Sequence, residues 1–563
     1  MGWFGPDRSL AGRVALFSSA AIIGPSFEPG LQPRRTAHQA LATGVLAAFT
    51  LTSVTATQST ITAIGRVLGV DRLGGPGSRA VFQAATNLGY SVLAQGVVRA
   101  LPPHVNESAR RGLTRTIADR SARVALVGAA ISAGVAVFDV IGSRYPRVTR
   151  VPVAFPVGVA LSALHIHRTR RRAEEVGDTT IDQVSIRSSI GLSMVVGAGV
   201  GTLQLAETGL ARAVSDLVDR YVPRLDRLSN PIGHLVALAA LSATAYAGHE
   251  YVIRRVEQGG SAIEPAYQDP PTSAYVSGGP ESLLDFADLS REGRRFVNMA
   301  LTPSEIESVM GEPARNEPIR VFVGVQSAMD IDARVQLLMA ELLRTGAFER
   351  EVLIYASPTG SGYINYVFAE AVEYLTLGNS AIATMQYSML PSSLSLTRTG
   401  VGVEQNRAAV AAIALHLETL ENPPRFMLFG ESLGAQTLLD VWRSSHIPTM
   451  DRDRIAASIF LGPPSAAGLA KAWRADPEIV DPDSQMVEID HLAQWNGARH
   501  VLVTHHDDPI PKFGIHLLMR EPDWLGSERP SGVPRSTTWR PATTFILTGV
   551  DMLNAMEVIP GVF

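Results

Sequence analysis

The 563-residue sequence contains no cysteine, which excludes disulfides, thiolate metal sites and a cysteine nucleophile. Charge is scarce: Asp, Glu, Lys and Arg make up 18% of the residues, against roughly a quarter in an average soluble chain. What charge there is nearly cancels, leaving a net −4, so the chain has no basic excess that would draw it to nucleic acid. An apolar content of 46% is also too high for a disordered chain. The mean hydropathy of +0.13 points to a membrane-embedded portion.

The lack of charge is concentrated before residue 258. A spanning helix needs about 20 mostly apolar residues, because lipid cannot satisfy free backbone polar groups. Seven long stretches fit: Val14 to Phe27, Ala37 to Gly65, Ala80 to Val98, Val124 to Ser143, Val151 to His167, Ser188 to Ala206, and Leu228 to Gly248. They are rich in Ala, Gly, Ser and Thr, which suits close helix packing in a bilayer. A soluble helical bundle is the alternative, but soluble helices normally carry a charged face. Residues 1–258 are therefore expected to form a multi-span transmembrane helical domain, integral to the cell membrane as a multi-pass protein. Arginines 168 and 170–172 favour a cytoplasmic loop. Arginines 212, 220, 224 and 227 weigh on the other side, so the side of the membrane stays open.

From Gly259 the texture changes. Pro265, Pro270, Pro271, Gly278, Gly279 and Pro280 mark a linker, taken as residues 259–290. Beyond it, over 291–563, short apolar runs alternate with helical patterns, the signature of a mostly parallel sheet with helices on both faces. The expected strands are Ile319 to Val325, Glu351 to Tyr355, Ala381 to Tyr387, Arg425 to Phe429, Ile455 to Leu461, His500 to Thr504, and Thr543 to Thr548. Helices are expected over Asp332 to Thr345, Asn365 to Leu377, Gln405 to Leu420 and Gln436 to Arg443.

The fourth of these strands runs straight into Gly430-Glu431-Ser432-Leu433-Gly434 and then a helical stretch. A serine between strand and helix, with glycine two before and two after, is the pattern of a nucleophile elbow. The competing reading is an ordinary turn with a helix-capping serine. An acyl-transfer serine needs donors for the oxyanion. The backbone N–H of Leu433 is one, and Thr359 or Gly360, in the turn after Tyr355, is expected to supply the other. The acid should follow the strand His500 to Thr504, where Asp507-Asp508-Pro509-Ile510 lies; Asp508 is preferred for its Asp-Pro-Ile setting. In the order serine, acid, histidine, the base belongs beyond Thr548, but no histidine follows that residue. Either it lies on chain beyond Phe563, or it comes from elsewhere, with His505, His506 and His516 nearby. His505, closest to the strand end, is taken as the base.

These residues resemble an actinobacterial membrane-anchored α/β-hydrolase family, with an N-terminal multi-span domain and a C-terminal hydrolase domain. The resemblance is carried by Gly24-Pro25-Ser26 through Leu31-Gln32-Pro33-Arg34, Gly293-Arg294-Arg295-Phe296-Val297, Pro358-Thr359-Gly360-Ser361-Gly362, Phe429 to Gly434, Leu461-Gly462-Pro463-Pro464 and Pro522-Asp523-Trp524-Leu525. It implies Ser432 as nucleophile, Asp508 as the acid and His505 as the histidine upstream of it. It also implies that family members continue into a Gly- and His-rich segment where this sequence stops, and that aminoacyl esters on membrane lipids are among the substrates of relatives. The expected activity is a serine ester hydrolase acting on a lipid or lipid-linked ester, an aminoacyl-phospholipid being one case. No cofactor, metal or nucleic-acid partner is expected, and the oligomeric state is left open. The alternative is a catalytically incomplete hydrolase fold serving as a membrane-bound interaction scaffold. A transporter is a weaker third reading, because the apolar segments lack paired charges or a repeat of broken helices.

Overall fold

The computed structural model describes residues 10–69, 76–104, 107–144, 154–177, 186–240, 243, 264–389, 399–443, 455–465, 467–476, 485–530 and 532–555. Residues 259–263 of the expected linker and most of the seventh apolar stretch beyond residue 240 lie outside them. The chain divides into two compact units, one formed by residues 1–247 with 513–563, the other by 248–512. The expected membrane-to-linker boundary at 258–259 lies about a dozen residues after the observed division. In this division residues 513–563 are grouped with the helical unit.

Among the described residues of the unit 248–512, seven strands form one sheet: β1 (Ile319–Val323), β2 (Val352–Ser357), β3 (Ser380–Met385), β4 (Arg425–Glu431), β5 (Ala457–Leu461), β6 (Met486–Ile489) and β7 (His500–Val503). Their order is β1-β3-β2-β4-β5-β7-β6, and every pair is parallel. β1, β2 and β3 are buried along their whole length, because helices cover both faces of a parallel sheet. Helix starts are set by side-chain caps: Asp330 accepts from the Ala333 amide before Ile331–Arg344, and Asn365 accepts from the Phe368 amide before Tyr366–Leu375. After β2 the chain passes to β3 on one side, and after β4 it passes to β5 on the other. The carboxyl ends of these two neighbours therefore flank a topological switch point, where α/β sheets place their sites.

The helical unit contains Leu10–Ala21, Thr36–Val67, Pro76–Ala100, Ala109–Arg144, Ala154–Val176 and Ile186–Tyr221. Among the described residues, one helix, Thr36–Val67, is long and apolar enough to cross a membrane, and just over half of its most apolar window is buried. Among the described residues the other expected spans do not meet this criterion: the first stretch is split into the short helices Leu10–Ala21 and Ile23–Ser26, and the end of the seventh lies outside the described residues.

One expected strand is corrected. Thr543 to Thr548 lies inside the helix Pro541–Ala555. Its β-branched residues favour a strand, but Thr543, Thr544, Leu547, Thr548, Val550 and Asp551 are buried with helical spacing. Leu547 and Val550 pack on Ala42 and Leu46, and the Asp551 carboxylate takes the Leu31 amide at 2.9 Å and Arg34 Nε at 2.7 Å. Tertiary contacts override the propensity. Within the unit 248–512, β6 was not anticipated.

Candidate active site

Ser432 follows β4 with φ +52°, one of three non-glycine residues at positive φ among the described residues. Such a conformation costs roughly 1–3 kcal/mol and persists only where surrounding packing enforces it. The enforcement is visible. The Ser432 amide donates to the Leu461 carbonyl at the end of β5 (2.9 Å), and the Ser432 carbonyl accepts the Gln436 amide in the next helix (3.0 Å). A Cβ at position 430 would lie 2.7 Å from the Ala435 nitrogen, and one at 434 would lie 2.2 Å from the Ser357 carbonyl oxygen. Both glycines are therefore required by close backbone approach. The turn carries a half-buried Ser432 directly into the helix Leu433–Arg443.

Leu433 is the first residue of that helix, where an amide has no acceptor within the helix. β2 pairs with β4 so that Ser357 lies opposite Gly430, which puts the turn Pro358-Thr359-Gly360 beside the elbow. The Thr359 amide donates to the Tyr363 carbonyl at 3.0 Å, closing the turn on itself.

Asp508 follows β7, two places from β4 in the sheet. Its Oδ1 accepts the Ile510 amide at 2.8 Å, and a Cβ at Gly462, the residue after β5, would lie 2.9 Å from its Oδ2. Burial pushes its carboxyl above the ordinary range, opposed by the Ile510 amide and by Lys512. Lys512 Nζ donates to the carbonyls of His505 (2.9 Å) and Asp508 (3.2 Å), which ties both ends of the turn 505–508 together. Burial pulls Lys512 down to about 8.

His505 is exposed, and its Nδ1 faces Asp490 Oδ1 at 3.7 Å; His506 Nε2 faces the same carboxylate at 3.5 Å. Among the described residues, the His505 ring makes no hydrogen bond to Asp508 or Ser432. His516 lies in the turn Ile515–Leu518, in the helical unit.

Two groups escaped the sequence. Glu431, beside the serine, is held up by burial, with the Asn365 amide at 3.2 Å opposing and Asp508 adding to the rise. Asp490 follows the unanticipated β6, and its Oδ1 accepts the His506 amide at 2.8 Å. The position of Glu431 between strand and serine is the one signal that could have found it; for Asp490 there was none. Among the described residues, no cluster of His, Cys, Asp and Glu has the arrangement to hold a metal ion.

A parallel sheet with a serine on a strained turn at the carboxyl end of a central strand, and an aspartate two strands along, describes an α/β-hydrolase. The comparisons agree: residues 319–562 match an alpha/beta-hydrolase family, and residues 126–300 match the N-terminus of an alpha/beta-hydrolase family. No curated protein and no solved structure matches the chain. Together the matches support an alpha/beta-hydrolase family for this chain and, with it, a hydrolase.

Proposed function

We propose that the protein is a membrane-bound serine hydrolase that cleaves an ester of a lipid or lipid-linked substrate. The observation that carries this reading is the left-handed Ser432 (φ +52°), since a strained serine at a strand-to-helix turn presents its hydroxyl at the edge of the sheet. Ser432 Oγ attacks the ester carbonyl, and its proton passes to an imidazole. The tetrahedral oxyanion is held by the Leu433 amide and by the Thr359 amide, which exchanges the Tyr363 carbonyl for the new charge. Collapse expels the alcohol, which takes the proton from the imidazole, and water then releases the acyl group by the same steps in reverse. Asp508, when ionised, orients that imidazole. His505 fills the role of base by turning its exposed ring from Asp490 toward Asp508.

Membrane attachment is supported by the way the helical unit is built. The helix Thr36–Val67 buries Gln39, Thr43 and Gln58 while exposing Leu41, Val45 and Phe49, and Pro76–Ala100 exposes Leu88, Val92 and Leu93. Apolar side chains turned outward fit a lipid surroundings better than water. A substrate confined to the same bilayer would be concentrated beside the enzyme, which favours a lipid ester, an aminoacyl-phospholipid among them.

Treatment of the full chain in membranes with a fluorophosphonate probe tests the reading. Ser432 is expected to be the modified residue, with labelling lost in Ser432→Ala. Absence of labelling in the wild type would favour the second reading, a scaffold with a hydrolase fold, for which the turning of His505 toward Asp490 is the specific observation.

A further inference from the structure

Behind the elbow, four polar side chains are buried where a parallel sheet and its helices would ordinarily meet through apolar groups. Tyr355, on β2, is fully buried, as are Asn406, in the helix Thr399–Leu417, and Thr437, in the helix Leu433–Arg443; Ser357, at the end of β2, is 2% exposed. Their hydrogen bonds run in one direction. The Tyr355 hydroxyl donates to Asn406 Oδ1 at 2.9 Å. Asn406 Nδ2 has two protons and two acceptors, Ser357 Oγ at 2.8 Å and Thr437 Oγ1 at 2.9 Å. The Thr437 hydroxyl donates to the Gly434 carbonyl at 3.0 Å, so the contact between Ser357 Oγ and Thr437 Oγ1, at 3.0 Å, is filled by the serine proton. Every proton of the chain has an acceptor, and each of the three hydroxyls has one donor role.

A buried polar network that is fully satisfied rigidifies the parts it joins. The parts joined here are the two that the reaction needs in register. Ser357 leads directly into the turn bearing Thr359, and Thr437 sits one helical turn after Leu433 and Gly434. The same two segments already touch through backbone, since a Cβ at 434 would meet the Ser357 carbonyl oxygen at 2.2 Å. Backbone contact alone sets how close they come. The side-chain network additionally fixes their relative rotation, because Asn406, from a third element, holds Ser357 and Thr437 with one planar amide.

We infer that Tyr355, Asn406, Ser357 and Thr437 form a positioning network that sets the two oxyanion-donating segments, the Leu433 amide and the Thr359 turn, in register for the transition state. This rests on the serine-hydrolase reading above. None of the four need touch substrate. Displacement of a donor by a fraction of an ångström weakens transition-state binding far more than ground-state binding, so the network acts on kcat and leaves KM nearly unchanged.

The test is the hydrolysis of p-nitrophenyl butyrate by the full chain, with fluorophosphonate labelling of Ser432 and thermal unfolding followed on the same samples. Thr437→Val keeps the shape but removes the hydroxyl that links Asn406, Ser357 and Gly434, while Thr437→Ser keeps that hydroxyl and loses only a methyl group. The inference expects Thr437→Val to lower kcat by about tenfold or more with KM within about twofold, and Thr437→Ser to restore kcat to within about threefold of wild type. A purely structural role would lower the unfolding temperature in both variants and leave kcat of the folded fraction alike in both. Should Thr437→Val fail to fold, Tyr355→Phe removes only the first donor of the chain and is expected to give a smaller fall in kcat, again without a matching change in KM. Wild-type kcat retained in Thr437→Val or, where that variant does not fold, in Tyr355→Phe overturns the network alone, as do equal losses in the valine and serine variants. A wild-type chain that neither hydrolyses the ester nor labels at Ser432 overturns the hydrolase reading and the network with it.

Discussion

The two units of the chain treat polar and apolar residues in opposite ways. In the sheet-containing unit the core is apolar, with Val321, Leu338, Leu353, Leu428 and Phe460 in one continuous cluster, and the buried Arg320–Glu373 pair and the Tyr355–Asn406–Ser357–Thr437 group are held by hydrogen bonds. In the helical unit, Thr36–Val67 buries Thr50, Thr52, Thr55, Gln58 and Ser59 alongside Leu46 and Leu51, and Pro76–Ala100 buries Gln83, Asn87 and Ser91, while valines and leucines of both helices face outward. The threonines keep themselves satisfied: Thr55 Oγ1 donates to the Leu51 carbonyl at 2.8 Å and Thr52 Oγ1 to the Ala48 carbonyl at 3.1 Å, one turn back on their own helix. A hydrophobic core needs water outside to drive it. Beside its apolar cluster of Val14, Leu16, Leu51 and Val54, the helical unit thus places small polar residues inside and large apolar ones outside, the pattern on which the proposed membrane attachment rests.

The largest effect is expected where the sheet-containing unit hides a charge. Arg320, on β1, is completely buried and forms a two-pronged pair with Glu373, Nε to Oε1 at 2.6 Å and Nη2 to Oε2 at 2.9 Å, while Nη1 donates to the Phe296 carbonyl at 2.8 Å. Arg320→Met leaves the Glu373 carboxylate in the interior without its cation and should cost about 3–5 kcal/mol. Urea unfolding of the sheet-containing unit within the full chain measures it. The double replacement Arg320→Met with Glu373→Leu should recover most of the loss, because two apolar side chains then fill the space. A single variant as stable as wild type would mean that this interior tolerates lone charges, and the contrast between the units would blur.

The converse replacement probes the other unit. Leu93 is 74% exposed. If its face meets water, Leu93→Lys should change stability by no more than about 0.5 kcal/mol. If it meets lipid, the lysine should cost on the order of 2.5–3.5 kcal/mol near the middle of a bilayer and lower the amount of protein recovered in the membrane fraction. Stability in lipid nanodiscs, compared with that of wild type, separates the two outcomes, and an unchanged variant would remove the support that the outward-facing leucines give to membrane attachment.

How far the chain could be read in advance follows the same division. A parallel sheet buried on both faces writes itself as short, nearly unbroken apolar runs, so β1 to β5 and β7 were legible to within a few residues. β6 was not: Met-Val-Glu-Ile is four residues at the edge of the sheet with Glu488 in it, too short to stand out. The serine turn was legible because strand, glycines and helix all fall in one window. The Thr543 to Thr548 segment misled because its threonines and isoleucine favour a strand, whereas its fate depends on Ala42 and Leu46, some five hundred residues away in sequence. The raised carboxyl of Glu431 and the lowered amine of Lys512 were invisible for a related reason: burial of a titratable group is decided by its neighbours in space. For the histidine, sequence order pointed beyond a final strand that does not exist.

The smallest expected effect concerns Asp508, the proposed acid, and it separates the site from the rest of the unit that carries it. Burial holds the Asp508 carboxyl above the ordinary range, while Lys512 pulls in the opposite direction. The ionised form is the one that can orient an imidazole. The acid limb of kcat/KM should therefore fall away at a pH above that of an unperturbed aspartate. Stability moves the other way: between the unfolded value and the raised folded one, the native chain holds the proton more tightly, so stability declines as pH rises across that interval and levels off above it. Lys512→Met removes the cation that favours the ionised carboxylate. The limb should then move to still higher pH, and the variant should retain most of its activity where Asp508 remains ionised. A shift toward lower pH, or none, would mean that Lys512 holds the turn 505–508 only through its bonds to the two carbonyls, without electrical influence on the acid. The comparison would then sharpen into one between an elbow tuned by backbone strain and an acid tuned by burial alone.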